Sequence, residues 1–329
     1  MYKFFYWWKF KKVSRDYKPV VLITGCTSGI GLALARLFTK LEHFRVVITS
    51  REKSLGILQQ EFAESEHVWI LALDVADDVS RFEVVKKIFE RWGRVDILIN
   101  NAGICYRSVL EEMLDKDELL QMKTNYLGPV GLIRLLLPAM RKNGRGKIIN
   151  ISSVSGMLAM PTMASYSASK FALEGAMEAL WYEVKPFGID ISLVQPGFVR
   201  SKSYERVKFS VRSKLSNTLD RPYSDIYRHM IPFVGRLMEY GVATPESIAQ
   251  LVYDVVKTQR PPLWIPASLD AEFFYYIKRV LPRRILLPFF YFLLPGSSQW
   301  GQRFSNRAQK NFMQIFFHNL INKLRGEDG

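Results

Sequence analysis

Six short, unbroken apolar runs separated by longer stretches of helical periodicity constrain this chain more than any other feature of its sequence. The runs are VVLITG (20–25), RVVIT (45–49), VWILAL (68–73), VDILIN (95–100), KIINIS (147–152) and IDISLV (189–194). Helices are expected between them, over 29–41, 53–65, 78–92, 117–142 and 164–186. A strand with one wet face would alternate apolar and polar residues; strands without alternation are covered on both faces. Parallel strands joined by right-handed helical crossovers satisfy that demand, so the pattern predicts a doubly wound, Rossmann-type α/β sheet with helices on both faces. The rhythm breaks over 200–240, which is basic and shows no clear strand, then returns as a helix over 245–258 and a short strand at LWIPA (263–267). One periodic series argues for one catalytic-sized domain over 19–270. It is preceded by an aromatic and basic segment (1–18) and followed by an apolar, basic extension (271–329).

Open sheets of this kind bind ligands at the carboxyl ends of their strands. The first run ends in Gly25-Cys26-Thr27-Ser28-Gly29-Ile30-Gly31 and enters a helix. Glycines allow a tight turn and let the backbone approach a pyrophosphate, while the helix N-terminus faces the anion. The second run closes on Ser50-Arg51, where an acid would accept hydrogen bonds from a ribose 2′-OH. A hydroxyl and a guanidinium there favour a 2′-phosphate, hence NADP(H) over NAD(H); the alternatives are a solvated surface arginine and interference from Glu52. Asp74 and Val75 end the third run, and Asn101, Ala102 and Gly103 the fourth, all placed to meet a cofactor or simply to cap turns.

Tyr166 and Lys170, four apart on one predicted helix face, follow Ser153 at the end of the fifth run. A neighbouring ammonium is expected to lower the pKa of the phenol, so that Tyr166 exchanges a proton with an alcohol or carbonyl oxygen held by Ser153. The segments TGCTSGIG, LDV, NNAG, KTNYLG, INISSVSG, YSASK and QPGFVRS stand in order across 20–201. In these the chain resembles the short-chain dehydrogenase/reductase family, and most closely its retinol and hydroxysteroid dehydrogenase branch. The resemblance implies a catalytic tetrad of Asn125, Ser153, Tyr166 and Lys170, with Lys170 also on the nicotinamide ribose and the Asn125 backbone holding a relay water. It implies that Asp74 and Asn101 lie near the adenosine, and that Pro196, Gly197, Val199 and Ser201 lie around the nicotinamide; Ser201 stands where the family often has Thr. It also implies a homodimer through 117–142 and 164–186, and a lipophilic alcohol or ketone as substrate.

Residues 154–163 separate Ser153 from Tyr166, which places Met157, Leu158, Met160 and Met163 either in the substrate cleft or in the core. The basic 200–228 stretch is expected to be a mobile flap over the substrate.

Net charge is +15, with about +5 in 1–18, +5 in 200–228 and +6 in 271–329, so the body of the chain is close to neutral. The run ILLPFFYFLL (285–294) is about half the length of a bilayer span, and Pro288 is expected to break it as a helix. Rings interleaved with Lys3, Lys9, Lys11, Lys12, Arg279, Arg283 and Arg284 suit an anionic membrane interface, the alternatives being packing on the domain or a dimer contact. Nucleic acid is disfavoured because the aromatics lie in apolar blocks and not along a basic groove. Two cysteines and four scattered histidines give neither a disulfide framework nor a metal site, which points to a reducing, cytoplasmic setting peripheral to a membrane. An NADP(H)-dependent oxidoreductase is therefore expected, against the alternative of a cofactor-binding regulatory protein or membrane-surface scaffold with little turnover.

Overall fold

The computed structural model describes residues 17–201 and 206–302. Seven strands form one sheet in the order β3-β2-β1-β4-β5-β6-β7, every pair parallel. They are β1 (Val20–Ile23), β2 (Arg45–Ser50), β3 (Val68–Ala72), β4 (Ile97–Asn100), β5 (Gly146–Ile151), β6 (Ile189–Gln195) and β7 (Trp264–Pro266). Successive residues of a strand point to opposite faces, and here both faces are apolar. Val21, Ile23, Val46 and Ile48 face α1 (Gly29–Phe38), α2 (Leu55–Glu61) and α9 (Pro245–Lys257). Val20, Leu22, Val47 and Leu98 face α3 (Asp78–Trp92), α5 (Gly128–Asn143) and α6 (Ala164–Val184). The chain reverses winding direction between β1 and β4, and this switch point opens the crevice in which the site lies.

Local chemistry sets the ends of the helices. Asp77 caps α3 by accepting from the Val79 amide, and Gly93 ends it with φ +72°. Thr244 and Ser247 form a reciprocal capping box at the start of α9.

The structure departs from the expected elements in four places. The helix expected over 53–65 is α2 preceded by a short 3-10 turn, and it stops at Glu61. Phe62 turns extended, and the Glu64 and Ser65 side chains accept from the Ile70 and Val68 amides, tying this segment to β3 instead. The helix expected over 117–142 is divided into α4 (Asp115–Met122) and α5 by a π turn at Lys123–Leu127. The strandless 200–240 stretch contains α7 (Val211–Thr218) and α8 (Ser224–Glu239).

The fourth departure is at the C-terminus. The boundary expected at 270/271 falls inside α10 (Leu269–Val280), and Pro288 lies within α11 (Arg283–Leu293) without ending it. Proline costs that helix one internal hydrogen bond, while buried Leu286 keeps its inner side packed. Trp300 beyond it is buried against Met230 and Val234 of α8. The extension is thus part of the domain as far as residue 302. Residues 1–16 and 303–329, with Lys3, Lys9, Lys11 and Lys12 of the N-terminal segment, lie outside the described residues.

Candidate active site

The carboxyl ends of β1 to β6 open onto one cleft of about 560 Å3. At one end lies the glycine turn. Gly25 has φ +74° and Gly29 φ +53°, the left-handed region that glycine enters without strain. A Cβ on Gly31 would sit 2.1 Å from the Gly25 carbonyl and 2.4 Å from Asn101 Nδ2. Gly31 does not line the cleft; it lies behind the turn, where its missing side chain lets the turn close. Asn101 spends its amide on the same task, donating to the Thr24 and Gly25 carbonyls at 2.9 and 3.0 Å. The Thr24 hydroxyl accepts from the Asn101 and Ala102 amides, both at 3.0 Å. Strand-end residues from β1 and β4 therefore lock one another.

Thr27, Ser28, Gly29 and Ile30 face the cleft at the N-terminus of α1. The Ser28 hydroxyl makes no capping bond of its own. Ser50 and Arg51 line the cleft from the end of β2, whereas Glu52 turns away into the 3-10 turn. Asp74 and Val75 line it from the end of β3, the Asp74 carboxylate accepting from the Ala76 amide at 2.9 Å. A glycine turn and a helix N-terminus fit the pyrophosphate of a nicotinamide dinucleotide.

Midway along the cleft stand Ser153, Tyr166 and Lys170. Ser153 Oγ caps its own turn by accepting from the Ser155 amide at 3.1 Å. Lys170 is buried, 5% exposed, and its ammonium donates to the Ile151 carbonyl at 2.8 Å, 5.8 Å from the centre of the Tyr166 ring. Burial depresses the Lys170 pKa to about 8, against the raising influence of Glu174 and Cys105. The lowered Tyr166 pKa expected from the neighbouring ammonium is not found. Burial raises it, Cys105 adds to the rise, and only the Ser153 hydroxyl opposes it. Lys170 does not drive the phenol in this arrangement because its ammonium is directed at a backbone carbonyl.

Asn125 does not reach the cleft. It is buried in the π turn, accepting from the Ile104 amide and donating to the Ile104 carbonyl, both at 2.9 Å, and to Ser169 Oγ at 3.0 Å. It positions the backbone that follows β4 and the helix that carries Tyr166 and Lys170. Met157 is likewise no cleft residue; it is core, packed with Val154 and Ala271. Leu158 also lies off the cleft lining, whereas Met160 and Met163 are on it. Pro196, Gly197, Val199 and Ser201 line the cleft beyond β6.

Several contributors carry no motif in the sequence. Glu174 accepts from Ser152 at 2.6 Å and from Gln195 at 2.9 Å, tying β5 and β6 together beneath Lys170. Asp270 of α10 accepts from the Phe198 amide at 2.7 Å, so the first turn of α10 holds the loop after β6. The lid expected over 200–228 is anchored through polar groups. Tyr227 is fully buried and donates to Glu112 at 2.7 Å, Ser216 donates to the same carboxylate, and Ser213 donates to Ser108 at 2.6 Å. Cys105, Arg107, Arg206, Lys208, Val234 and Met238 complete the far end of the cleft. Alternation beyond Gly103 is the one sequence signal for Cys105 and Arg107, since an extended chain there sends both to one side.

The short chain dehydrogenase family model matches residues 19–209. A 3-ketodihydrosphingosine reductase of Bacteroides thetaiotaomicron is 35% identical over 243 residues, covering 74% of this chain and 85% of the reductase. A short-chain dehydrogenase from Streptomyces avermitilis superimposes with a TM-score of 0.68 at 30% identity, over 84% of this chain and 98% of that one. A metagenomic short-chain oxidoreductase in complex with NADP superimposes with a TM-score of 0.58 at 27% identity, over 75% of this chain and 96% of that one.

Proposed function

The chain belongs to the short chain dehydrogenase family of oxidoreductases, and from that premise we propose that it uses NADP(H) to interconvert a lipophilic alcohol and its ketone or aldehyde. The convergence of Ser153, Tyr166 and Lys170 on one cleft with the glycine turn and Arg51 carries this reading. A bound nicotinamide supplies or accepts the hydride. Tyr166 supplies the proton: a phenol held in its protonated form by burial is poised to give that proton to a carbonyl oxygen. The Ser153 hydroxyl positions that oxygen. Gly25, Thr27, Ser28, Gly29 and Ile30 would hold the pyrophosphate, Asp74 and Val75 would flank the adenosine, and Arg51 would pair with a 2′-phosphate. Met160, Met163, Val234 and Met238 give the far end the apolar walls a lipophilic substrate needs, and the 3-keto lipid named for the Bacteroides relative fits the same class. The test is binding and turnover of NADPH against NADH with retinoid, steroid and long-chain carbonyls, on wild type and Tyr166→Phe. NADPH turnover that the Phe variant loses while still binding cofactor supports the reading; turnover that survives the substitution refutes the role of Tyr166.

We further propose that the enzyme works at an anionic membrane surface. No helix among the described residues is long and apolar enough to cross a bilayer. The inner sides of α10 and α11 pack on the domain, but Phe273, Tyr276, Leu287, Phe289 and Phe292 are exposed. Lys278, Arg279, Arg283 and Arg284 stand among them, the pattern of an interfacial helix pair. Cosedimentation with vesicles containing phosphatidylserine, lost on Phe289→Asp with Phe292→Asp, is the expected result. Equal recovery of both proteins in the supernatant would refute it.

A further inference from the structure

Beyond Gly103 the chain runs beside the segment around Lys208, pairing Tyr106 with Lys208 in parallel. The Arg107 amide donates to the Lys208 carbonyl at 2.7 Å and the Lys208 amide to the Cys105 carbonyl at 2.9 Å. This pairing directs Cys105 and Arg107 to the same side, into the cleft, and Tyr106 to the other, where its amide meets Gln121. Cys105 lies close enough to Tyr166 and Lys170 to influence the titration of both, and close enough to Arg107 to be influenced by it. Arg107 thus lines the same cleft as Tyr166 and Lys170, two residues beyond Cys105.

Its environment is unusual for a guanidinium. Arg107 is 6% exposed, its Nε is buried without a hydrogen-bond partner, and it is in none of the ion pairs among the described residues. Burial alone depresses its pKa. A desolvated cation with an unmet donor costs folding free energy, and an unpaired one is rare unless a ligand completes it. The charge balance of the cleft points the same way. Arg51, Arg107, Lys170, Arg206 and Lys208 line it, against Asp74 as its one described carboxylate, at the cofactor end. Arg51 and Lys170 have roles in the reading above. Lys208 pairs in register with Tyr106 and places its ammonium 5.3 Å from the centre of that ring, on the side away from Arg107. Arg107 and Arg206 remain, and neither is on the glycine turn.

We propose that Arg107 anchors an anion-binding subsite beside Tyr166, and that the substrate is an amphiphile carrying a phosphate ester or a carboxylate within a few bonds of its carbonyl. The planar guanidinium matches either oxyanion in fork geometry, and Arg206 adds field without geometric demand. The apolar remainder of such a molecule lies along Met160, Met163, Val234 and Met238. The subsite takes its reaction from the carbonyl-reductase reading and its ligand from Arg107, and the two are tested separately.

The experiment uses the full chain with saturating NADPH and three alkyl ketones of one chain length, whose short arm ends in a phosphate, a carboxylate or a hydroxyl. A kcat/KM for one or both anionic ketones roughly 10- to 100-fold above the hydroxyl analogue is expected, the scale of a charge-assisted pair. The higher of the two anionic values identifies the oxyanion. In Arg107→Met that ratio falls to within about threefold of unity, and Arg107→Lys, which keeps charge but not the fork, lies between. Arg107→Lys also keeps the test alive if the Met variant does not fold. Equal values for all three ketones overturn the subsite, as does an anionic preference that survives Arg107→Met. A variant that weakens NADPH binding and leaves the ratio unchanged overturns it too, by placing Arg107 on the cofactor. If no ketone is turned over, dodecyl phosphate binding to the NADPH-saturated chain still decides. Weakening by Arg107→Met supports the subsite while the reductase reading falls, and no weakening ends it.

Discussion

The two ends of this one cleft are built in opposite ways. The cofactor end is made of backbone: a left-handed glycine pair, a helix N-terminus and strand-end amides locked by Thr24 and Asn101. The substrate end is made of side chains brought from far apart in the chain, with Arg107 after β4, Arg206 beyond β6 and Met238 on α8, and Asp270 on α10 behind them. A backbone cradle recognises what every dinucleotide shares and leaves little to vary. A side-chain pocket changes its chemistry with single substitutions. The first end therefore has to be broken by crowding, and the second by removing one group.

The largest effect is expected from crowding. Gly31→Ala places a methyl 2.1 Å from the Gly25 carbonyl, in a region where both neighbours are already tied down. The turn must shift, and displacement of a binding backbone by about 1 Å costs on the order of 100-fold. NADPH titration by fluorescence should show that loss, accompanied by a lower melting temperature. Wild-type affinity in the Ala variant would mean that the cradle is not rigid. Arg51→Ala removes a side chain from the same end, and a smaller, selective effect follows. NADPH affinity falls roughly 10-fold while NADH affinity is nearly unchanged, as one charge-assisted hydrogen-bonded pair predicts. Equal losses for both cofactors would remove Arg51 from 2′-phosphate recognition.

The same contrast explains what the sequence disclosed. The parallel sheet, the glycine turn and the catalytic pair are legible because they are local: continuous apolar runs, a turn that demands glycine, and a Tyr–Lys pair one helical turn apart. Asn125 and Gly31 were identifiable as site residues, and the part of Gly31 in the tight turn with them, but not that both side-chain positions hold backbone together off the cleft. Met157 and Met160 read alike in sequence, and only packing against Val154 and Ala271 sends the first to the core. Lys170 adjacent to Tyr166 implied a depressed phenol, but the Ile151 carbonyl captures the ammonium. Nothing local marks Glu112, Tyr227 or Asp270, since each meets a partner more than 70 residues away.

That long-range polar network provides the substrate-end test. Glu112 is 7% exposed and accepts from both Ser216 and Tyr227, fastening α7 and α8 to the segment after β4. Glu112→Ala leaves two hydroxyls without their acceptor in a buried place. The expected loss is about 1–3 kcal/mol of unfolding free energy, with a raised KM for the carbonyl substrate and no change in NADPH affinity. Denaturant titration and steady-state kinetics measure both. A variant that weakens NADPH binding as much as substrate binding would show that the two ends are not separately built.

Lys170 stands where the ends meet, and its titration gives the smallest effect. Its folded pKa, about 8, lies below the ordinary 10.5 because burial penalises the ammonium. Below pH 8 the lysine is charged in both folded and unfolded chains, and the fold bears the whole penalty. Between pH 8 and 10.5 the folded protein releases the proton while the unfolded chain keeps it, so stability is gained as pH rises. One proton limits the slope to about 1.4 kcal/mol per pH unit. Lys170→Met removes this titration and also the bond to Ile151, but the lost bond shifts stability by a constant and leaves the slope to the lysine. The stability of wild type relative to Lys170→Met should therefore climb from pH 8 to 9.5, measured without cofactor by urea titration at each pH. A flat difference would mean that the ammonium is solvated and free to turn toward Tyr166. The phenol would then be governed by Lys170 and not by burial, and the boundary between the backbone end and the side-chain end would lie on the far side of the catalytic pair.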